Sequence, residues 1–178
     1  HPLFQNNKAQ DGGAIYNNGT IELKGSPSFI NNEAIDTGDY DYREGMGGAV
    51  FNAGNLTIEN GVFTGNKAIS GSSIWNEGNL TDTNSKYSSN YAAAAGTIFQ
   101  NQNTMVLNNI TISGNVADQD GSGIFASSSL VVNGGVIKDN IARGQGGAIY
   151  CMPCYNPAPF TAYLNGLTIL NNTASLDG

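Results

Sequence analysis

Short apolar runs alternate with polar, glycine-rich stretches along the whole chain, and each kind of run recurs. One recurring run is an aromatic residue or isoleucine, two residues, asparagine, one residue and alanine. Its asparagines are Asn7, Asn32, Asn66, Asn90, Asn115, Asn140 and Asn172. Its alanines follow one another at 25, 34, 24, 25, 25 and 32 residues. A repeat of about 25 residues, lengthened twice by insertions, is typical of a solenoid.

Two further runs keep the same period. The first combines glycine or serine, a small residue, isoleucine or valine and an aromatic residue, as in Gly13–Tyr16, Gly48–Phe51, Ser72–Trp75, Gly96–Phe99, Ser122–Phe125 and Gly147–Tyr150. The second has apolar residues at alternate positions, as in Leu56 and Ile58, which predicts a half-buried strand. Asp82 breaks this column, since it follows Leu80 where an apolar residue is expected.

Three short apolar runs per repeat, separated by Gly, Asn and Ser, predict an all-β protein. We expect a right-handed parallel β-helix of about seven coils, with three short strands per coil. The chain is read as one domain, 1–178, with insertions at 36–45 and 151–161. Coils about 4.8 Å apart would stack the seven asparagines into an amide ladder along the axis.

The isoleucine and aromatic columns are neighbours in sequence, so a regular strand sends them to opposite faces. One column would then form an exposed apolar surface, which is typical of an interface. A bend of the chain at this point would instead bring both columns inside. The sequence leaves both arrangements open.

The repeats resemble those of the chlamydial polymorphic outer membrane proteins. The resemblance lies in Gly-Gly-Ala-Ile or Gly-Gly-Ala-Val at residues 12–15, 47–50 and 146–149, and in Phe-x-x-Asn at residues 4–7, 29–32 and 63–66. Middle repeats depart from the first motif, and later repeats replace phenylalanine. The resemblance implies an autotransporter-type passenger at the outer membrane that acts as an adhesin.

The amino-acid composition argues against some classes of binding partner. The formal net charge is −7, and charged residues make up 12% of the chain. Such a balance argues against binding to nucleic acid or to an anionic membrane. No stretch of 18 apolar residues occurs, so this segment is not expected to insert into a membrane. Low charge with abundant Asn, Gly, Ser and Thr suits an extracellular or cell-surface protein.

The first insertion carries four carboxylates within nine residues, a pattern that could bind calcium through hard oxygen ligands. The carboxylates are Asp36, Asp39, Asp41 and Glu44. The alternative is a solvated acidic loop. Tyr40 and Tyr42, together with Asp39 and Asp41, would suit contact with a glycan or a protein. No other cofactor is predicted.

The second insertion contains Cys151 and Cys154, and three prolines. The cysteines could form a disulfide that staples the loop, or a redox or metal pair. Tyr155 and Phe160 are candidate binding residues, since loops that leave a solenoid often carry specificity. Simple variation in loop length is the alternative.

Other candidate sites are few. Five glycosylation sequons begin at Asn18, Asn55, Asn79, Asn109 and Asn171. No catalytic residue is assigned, because a hydrolase needs paired carboxylates on a rigid face and Asp82 has no partner by repeat register. Ice binding would need a regular threonine array, which neighbouring Glu22, Val106 and Val131 interrupt.

The sequence therefore predicts a non-enzymatic surface module that acts in adhesion or as a structural rod, with a host or neighbouring-cell protein or glycan as its partner. One alternative is an end-to-end homo-oligomer that forms an extracellular filament, because the chain starts and stops within a repeat. Another is a carbohydrate-active β-helix enzyme, since such enzymes share the fold.

Overall fold

The computed structural model describes residues 1–38, 44–152 and 161–178, and these form a parallel β-helix. Every strand pairing in the described part is parallel and joins like positions of successive coils, as in Ile74 with Val50 and Ile98. No helix occurs among these residues. The predicted fold class is thus confirmed.

Three sheets run along the axis. The isoleucine sheet has six strands: β3 (Ile15–Asn17), β7 (Val50–Asn52), β11 (Ile74–Asn76), β15 (Ile98–Gln100), β18 (Ile124–Ala126) and β21 (Ile149–Cys151). The alanine sheet has seven short strands: β2 (Lys8–Ala9), β6 (Glu33–Ala34), β10 (Lys67–Ala68), β14 (Tyr91–Ala92), β17 (Val116–Ala117), β20 (Ile141–Ala142) and β24 (Thr173–Ala174).

The large sheet has eleven strands and turns a corner. Its strands are β1 (Leu3–Gln5), β4 (Thr20–Leu23), β5 (Ser28–Ile30), β8 (Asn55–Glu59), β9 (Val62–Thr64), β12 (Asn79–Thr83), β13 (Lys86–Ser88), β16 (Met105–Ser113), β19 (Leu130–Lys138), β22 (Ala162–Asn165) and β23 (Thr168–Leu170). In β16 and β19 one strand continues through the corner, whereas the other coils use two strands.

A typical coil therefore has four strands, and the prediction of three is corrected. The aromatic-x-x-Asn-x-Ala run divides at the residue before its asparagine, which has a positive φ in every coil, for example 52° at Asn31 and 67° at Gly65. This left-handed conformation ends the strand of the large sheet and starts the strand of the alanine sheet. Asn and Gly tolerate it well, which explains their abundance at this corner.

The corner before the isoleucine sheet imposes a stricter requirement. Gly47 has φ +69°, and a Cβ atom there would lie 2.3 Å from the carbonyl oxygen of Val50. Glycine stands at the equivalent position in all six coils that have an isoleucine strand, at residues 12, 47, 71, 96, 121 and 146. The first glycine of the Gly-Gly-Ala-Ile motif is thus a steric requirement of the turn.

Apolar side chains from the isoleucine sheet and the large sheet fill one continuous core. Val50, Ile74, Ile98 and Ile124 are fully buried in it. Phe29 and Phe63 stack within it at a centroid distance of 4.6 Å, close to the spacing of paired strands. The core thus runs along the whole axis as columns of like residues.

Of the two neighbouring columns, the isoleucines face this core and the aromatic residues lie outside it. The aromatic rings stack along the axis, with Trp75 and Phe99 at 4.1 Å. Phe51, Trp75 and Phe125 are at most 9% exposed, whereas Tyr16 is 60% exposed. A continuous exposed apolar surface is therefore not formed, and Phe99 and Tyr150 are only partly exposed.

Candidate functional site

The seven ladder asparagines lie in one column at the corner between the large sheet and the alanine sheet. Asn90 illustrates the geometry: its Oδ1 accepts from the backbone N–H and the Nδ2 of Asn66 at 2.9 and 3.0 Å, and its own Nδ2 donates to the carbonyl of Phe63 at 3.1 Å. The pattern continues from Asn7 to Asn172. The column holds successive coils together and its interior members are fully buried.

A second amide ladder lies inside the isoleucine sheet and was not predicted. Asn17 donates to Asn52 at 2.6 Å, Asn52 to Asn76 at 2.5 Å, and Asn76 to Gln100 at 2.7 Å. The sequence signal is an amide residue directly after the aromatic one. It was overlooked because asparagine two residues before glycine, as at 17–19, 52–54 and 76–78, reads simply as turn composition.

One carboxylate is buried in the core. Asp82 is 0% exposed and lies in register between Ile58 and Leu107. It accepts hydrogen bonds from the hydroxyls of Ser85 and Tyr87, the latter at 2.5 Å, and Ser85 Oγ accepts in turn from the N–H of Gly61. Asp82 thus has partners within its own coil, although none by repeat register.

Burial raises the pKa of Asp82 to about 6, and the two hydroxyl donors oppose that rise. Burial also raises the pKa of Tyr87 well above its ordinary value, with a further contribution from the Asp82 charge. A perturbed carboxylate often marks an active site. This one is enclosed by the core, so it is placed to influence stability rather than to contact a substrate.

At the first insertion, Glu44 is buried and Asp36 is exposed. Oε2 of Glu44 accepts from the N–H and the hydroxyl of Thr37 at 2.6 and 2.8 Å. Oε1 of Glu44 is buried and has no hydrogen-bond partner within the described part of the chain. Asp36 Oδ1 accepts from the N–H of Gly38 at 2.7 Å. Asp39, Tyr40, Asp41 and Tyr42 lie outside the described residues, so the calcium site stays a prediction.

At the second insertion, Cys151 ends strand β21 and is exposed overall, and partial burial raises the pKa of its thiol. Cys154, Tyr155 and Phe160 lie outside the described residues, so the disulfide and the binding role of this loop stay predictions. Among the residues described, no three His, Cys, Asp or Glu side chains come together as metal ligands. All five sequon asparagines are exposed.

A groove on the outer face of the alanine sheet adjoins the first insertion, and sequence reasoning missed it. This tyrosine groove has a volume of about 260 Å³. Its lining consists of Glu33, Ala34, Ile35, Asp36, Lys67, Ala68, Ile69, Tyr91 and Ala93. Ala93 contributes a small side chain to this lining, beside the larger Ile35, Ile69 and Tyr91.

Ionic contacts flank the groove along the sheet. Lys8 pairs with Glu33 at 2.9 Å on one side. On the other side, Tyr91 donates to Asp118 at 2.5 Å, and Arg143 lies 3.1 Å from the other oxygen of Asp118. That hydrogen bond is the main reason that the pKa of Tyr91 is raised. The arrangement combines a partly exposed ring with charged donors and acceptors.

No helix in the described ranges is long and apolar enough to cross a bilayer. Searches of curated proteins and of solved structures gave no match. The Chlamydia polymorphic membrane protein repeat matches residues 3–18 and 134–152. Both segments run from a strand of the large sheet, past a ladder asparagine, into the isoleucine sheet. The predicted resemblance is thus confirmed for these two segments, which are similar to the Chlamydia polymorphic membrane protein repeat.

Proposed function

We propose that this chain is a non-enzymatic module of the cell surface that acts in adhesion, with the β-helix as a rod that presents its binding groups at the sides. The observation that carries the proposal is the position of the tyrosine groove. Asp36, the first residue of the insertion at 36–45, lines this groove, and we therefore propose that groove and insertion act together as one lateral binding surface. The match to a repeat of surface proteins supports the same function.

The scaffold suits this role because its stability does not depend on that surface. Core columns and amide ladders lie along the axis, and the residues that line the groove are not part of the apolar core cluster. Loops held on a rigid framework commonly carry binding specificity. The partner we propose is a protein or glycan on a host or neighbouring cell.

Adhesion can be measured with beads coated with the purified chain and applied to cultured cells. We expect the chain to retain beads on the cells, and retention to fall when residues 39–43 are replaced by five Gly and Ser residues. Lys138→Ala, which removes an exposed cation on the large sheet, is the matched control and should bind like the parent. Absence of binding by the parent chain, or equal retention by the loop variant, would overturn the proposal.

The carbohydrate-active enzyme remains a distinct alternative that the same material tests. Turnover of acidic or neutral polysaccharides that is lost with Asp39→Ala or Asp41→Ala would favour the enzyme over the adhesin. A mass in solution that grows with concentration would instead favour the filament subunit.

A further inference from the structure

We propose that the tyrosine groove binds one uncharged pyranose unit of a glycan. This inference rests on the adhesive function proposed above and names the ligand class for the groove side of that surface. Three properties of the groove carry it: a ring held in place, polar groups at its rim, and a balance of charge that disfavours acidic sugars.

The ring of Tyr91 is available and is already held. Tyr91 is 37% exposed, and its hydroxyl donates to Asp118 at 2.5 Å. Asp118 is fixed in turn by the ion pair with Arg143 at 3.1 Å. A ring restrained before binding loses little conformational entropy when a ligand stacks on it. The flat apolar face of an aromatic ring suits the C–H face of a pyranose.

Hydrogen-bond donors and acceptors lie near the Tyr91 ring. Lys67 pairs in register with Tyr91 on one side and with Glu33 on the other. Lys8 holds the Glu33 carboxylate at 2.9 Å, while the exposed Lys67 has no ion pair within the described residues. The ammonium group of Lys67 can therefore donate to a ligand, and the exposed carboxylate of Asp36 can accept from one. Sugar hydroxyls do both.

Charge and size define the ligand further. Lys67 balances Asp36 at the rim, and the whole chain has a formal net charge of −7. Charges beyond a Debye length of about 8 Å are screened, and the balanced rim offers no net positive charge to attract uronic and sialic acids. The volume of about 260 Å³ falls just below the range of about 300–1,000 Å³ for pockets that enclose drug-sized ligands. One sugar ring therefore fits, and its affinity is weak, on the order of millimolar.

The test is saturation-transfer NMR and titration with methyl glycosides of neutral hexoses and N-acetylhexosamines, against glucuronic and N-acetylneuraminic acids. We expect binding of at least one neutral sugar, at least about tenfold weaker binding of the acids, and loss of about tenfold or more in Tyr91→Ala. Tyr91→Phe keeps the ring and loses only its tether, so it should lose about threefold or less.

Tyr16→Ala is the matched control because it removes an exposed tyrosine from the isoleucine sheet, away from the groove. Absence of any neutral-sugar binding, preference for acidic sugars, or equal loss in Tyr16→Ala would overturn the inference. Bead adhesion separates this failure from failure of the proposed function. If cells still retain the beads and Tyr91→Ala has no effect there, the glycan inference alone falls. If the parent chain does not adhere at all, the adhesive function falls whatever the sugars show.

Discussion

Tyr87 donates a hydrogen bond to Asp82 across 2.5 Å inside the apolar core, and each of the two residues stands where neighbouring coils have an apolar one. Ile58 and Leu107 flank Asp82 in register, and Phe63 and Ile112 flank Tyr87. The polar pair replaces an apolar pair within a single coil. The two exceptions to the repeat thus satisfy each other.

Removing only one partner should therefore cost more than removing both. Tyr87→Phe deprives a buried carboxylate of a donor, and we expect a loss of about 1–3 kcal/mol in the free energy of unfolding. Asp82→Leu combined with Tyr87→Phe should recover part of that loss, since it restores the apolar columns of the adjoining coils but leaves the buried Ser85 hydroxyl without its acceptor. Urea unfolding measures both. Thr81→Val, on the exposed side of the same strand, should change stability by less than about 0.5 kcal/mol. A double variant less stable than Tyr87→Phe would contradict the compensation.

Stability should also depend on pH through Asp82. Its pKa is raised from 3.8 to about 6 in the folded protein, so between about pH 4 and pH 6 the folded state binds more protons than the unfolded state. The Asp82 contribution to the free energy of unfolding therefore falls as pH rises through that window, by about 3 kcal/mol in total. Asp82→Asn should remove this contribution. The measurement is the difference between parent and variant in urea unfolding from pH 3.5 to 7, and a constant difference would refute the assignment.

The amide ladder should be most sensitive at its buried centre. Asn90→Ala leaves the buried N–H of Asn66 without its acceptor and breaks the side-chain link to Asn115, so we expect a loss of about 2–4 kcal/mol. Asn7→Ala is the control, because Asn7 is exposed and only donates to Asn32. It should cost less than about 1 kcal/mol by the same unfolding assay. Equal losses at both positions would argue against the ladder as a source of stability.

The turn glycine before the isoleucine sheet should not tolerate alanine. Gly47→Ala combines a positive φ with a Cβ contact of 2.3 Å to a backbone oxygen. We therefore expect the free energy of unfolding to fall by more than about 1 kcal/mol. Gly19→Ala is the matched control, since a Cβ there meets nothing within 4 Å. Thermal unfolding by circular dichroism compares the two. A Gly47→Ala variant as stable as Gly19→Ala would show that the turn relaxes.

Calcium binding at the first insertion is a further proposal, supported by the buried Oε1 of Glu44 that lacks a hydrogen-bond partner in the described part. A carboxylate oxygen of this kind can instead be a ligand of a bound calcium ion. Millimolar calcium should raise the midpoint of thermal unfolding of the parent, and Glu44→Gln should abolish the rise. Glu22→Gln, on the exposed face of the large sheet, serves as control. An unchanged midpoint in the parent would end the calcium proposal.

The repeat made most of the fold predictable. Spacing alone identified the columns of Ile74, Phe63 and Asn90, because stacked coils place like residues on one axis. The division of the aromatic-x-x-Asn-x-Ala run into two strands was not predicted, since it depends on a single left-handed residue such as Asn31 or Ser89. Serine at that position gives no clear signal in the sequence.

The candidate site was harder to predict than the fold. Ser85 and Tyr87 reach Asp82 around a corner of their own coil, a relationship that comparison between coils cannot reveal. The tyrosine groove depends on the directions of Tyr91 and Lys67 and on the small volume of Ala93. These are properties of packing on the outer face, where the periodic pattern sets no requirement.

The two spacings of the asparagine ladder carry a consequence for how such proteins diversify. Asn32 and Asn66 are 34 residues apart and Asn66 and Asn90 are 24 apart, yet the amide contact is 3.0 Å in both steps. The ten additional residues of the longer repeat thus leave the amide contact between successive coils unchanged. Insertions between strands can therefore change in length and in sequence during evolution, while the residues that determine the β-helix stay the same.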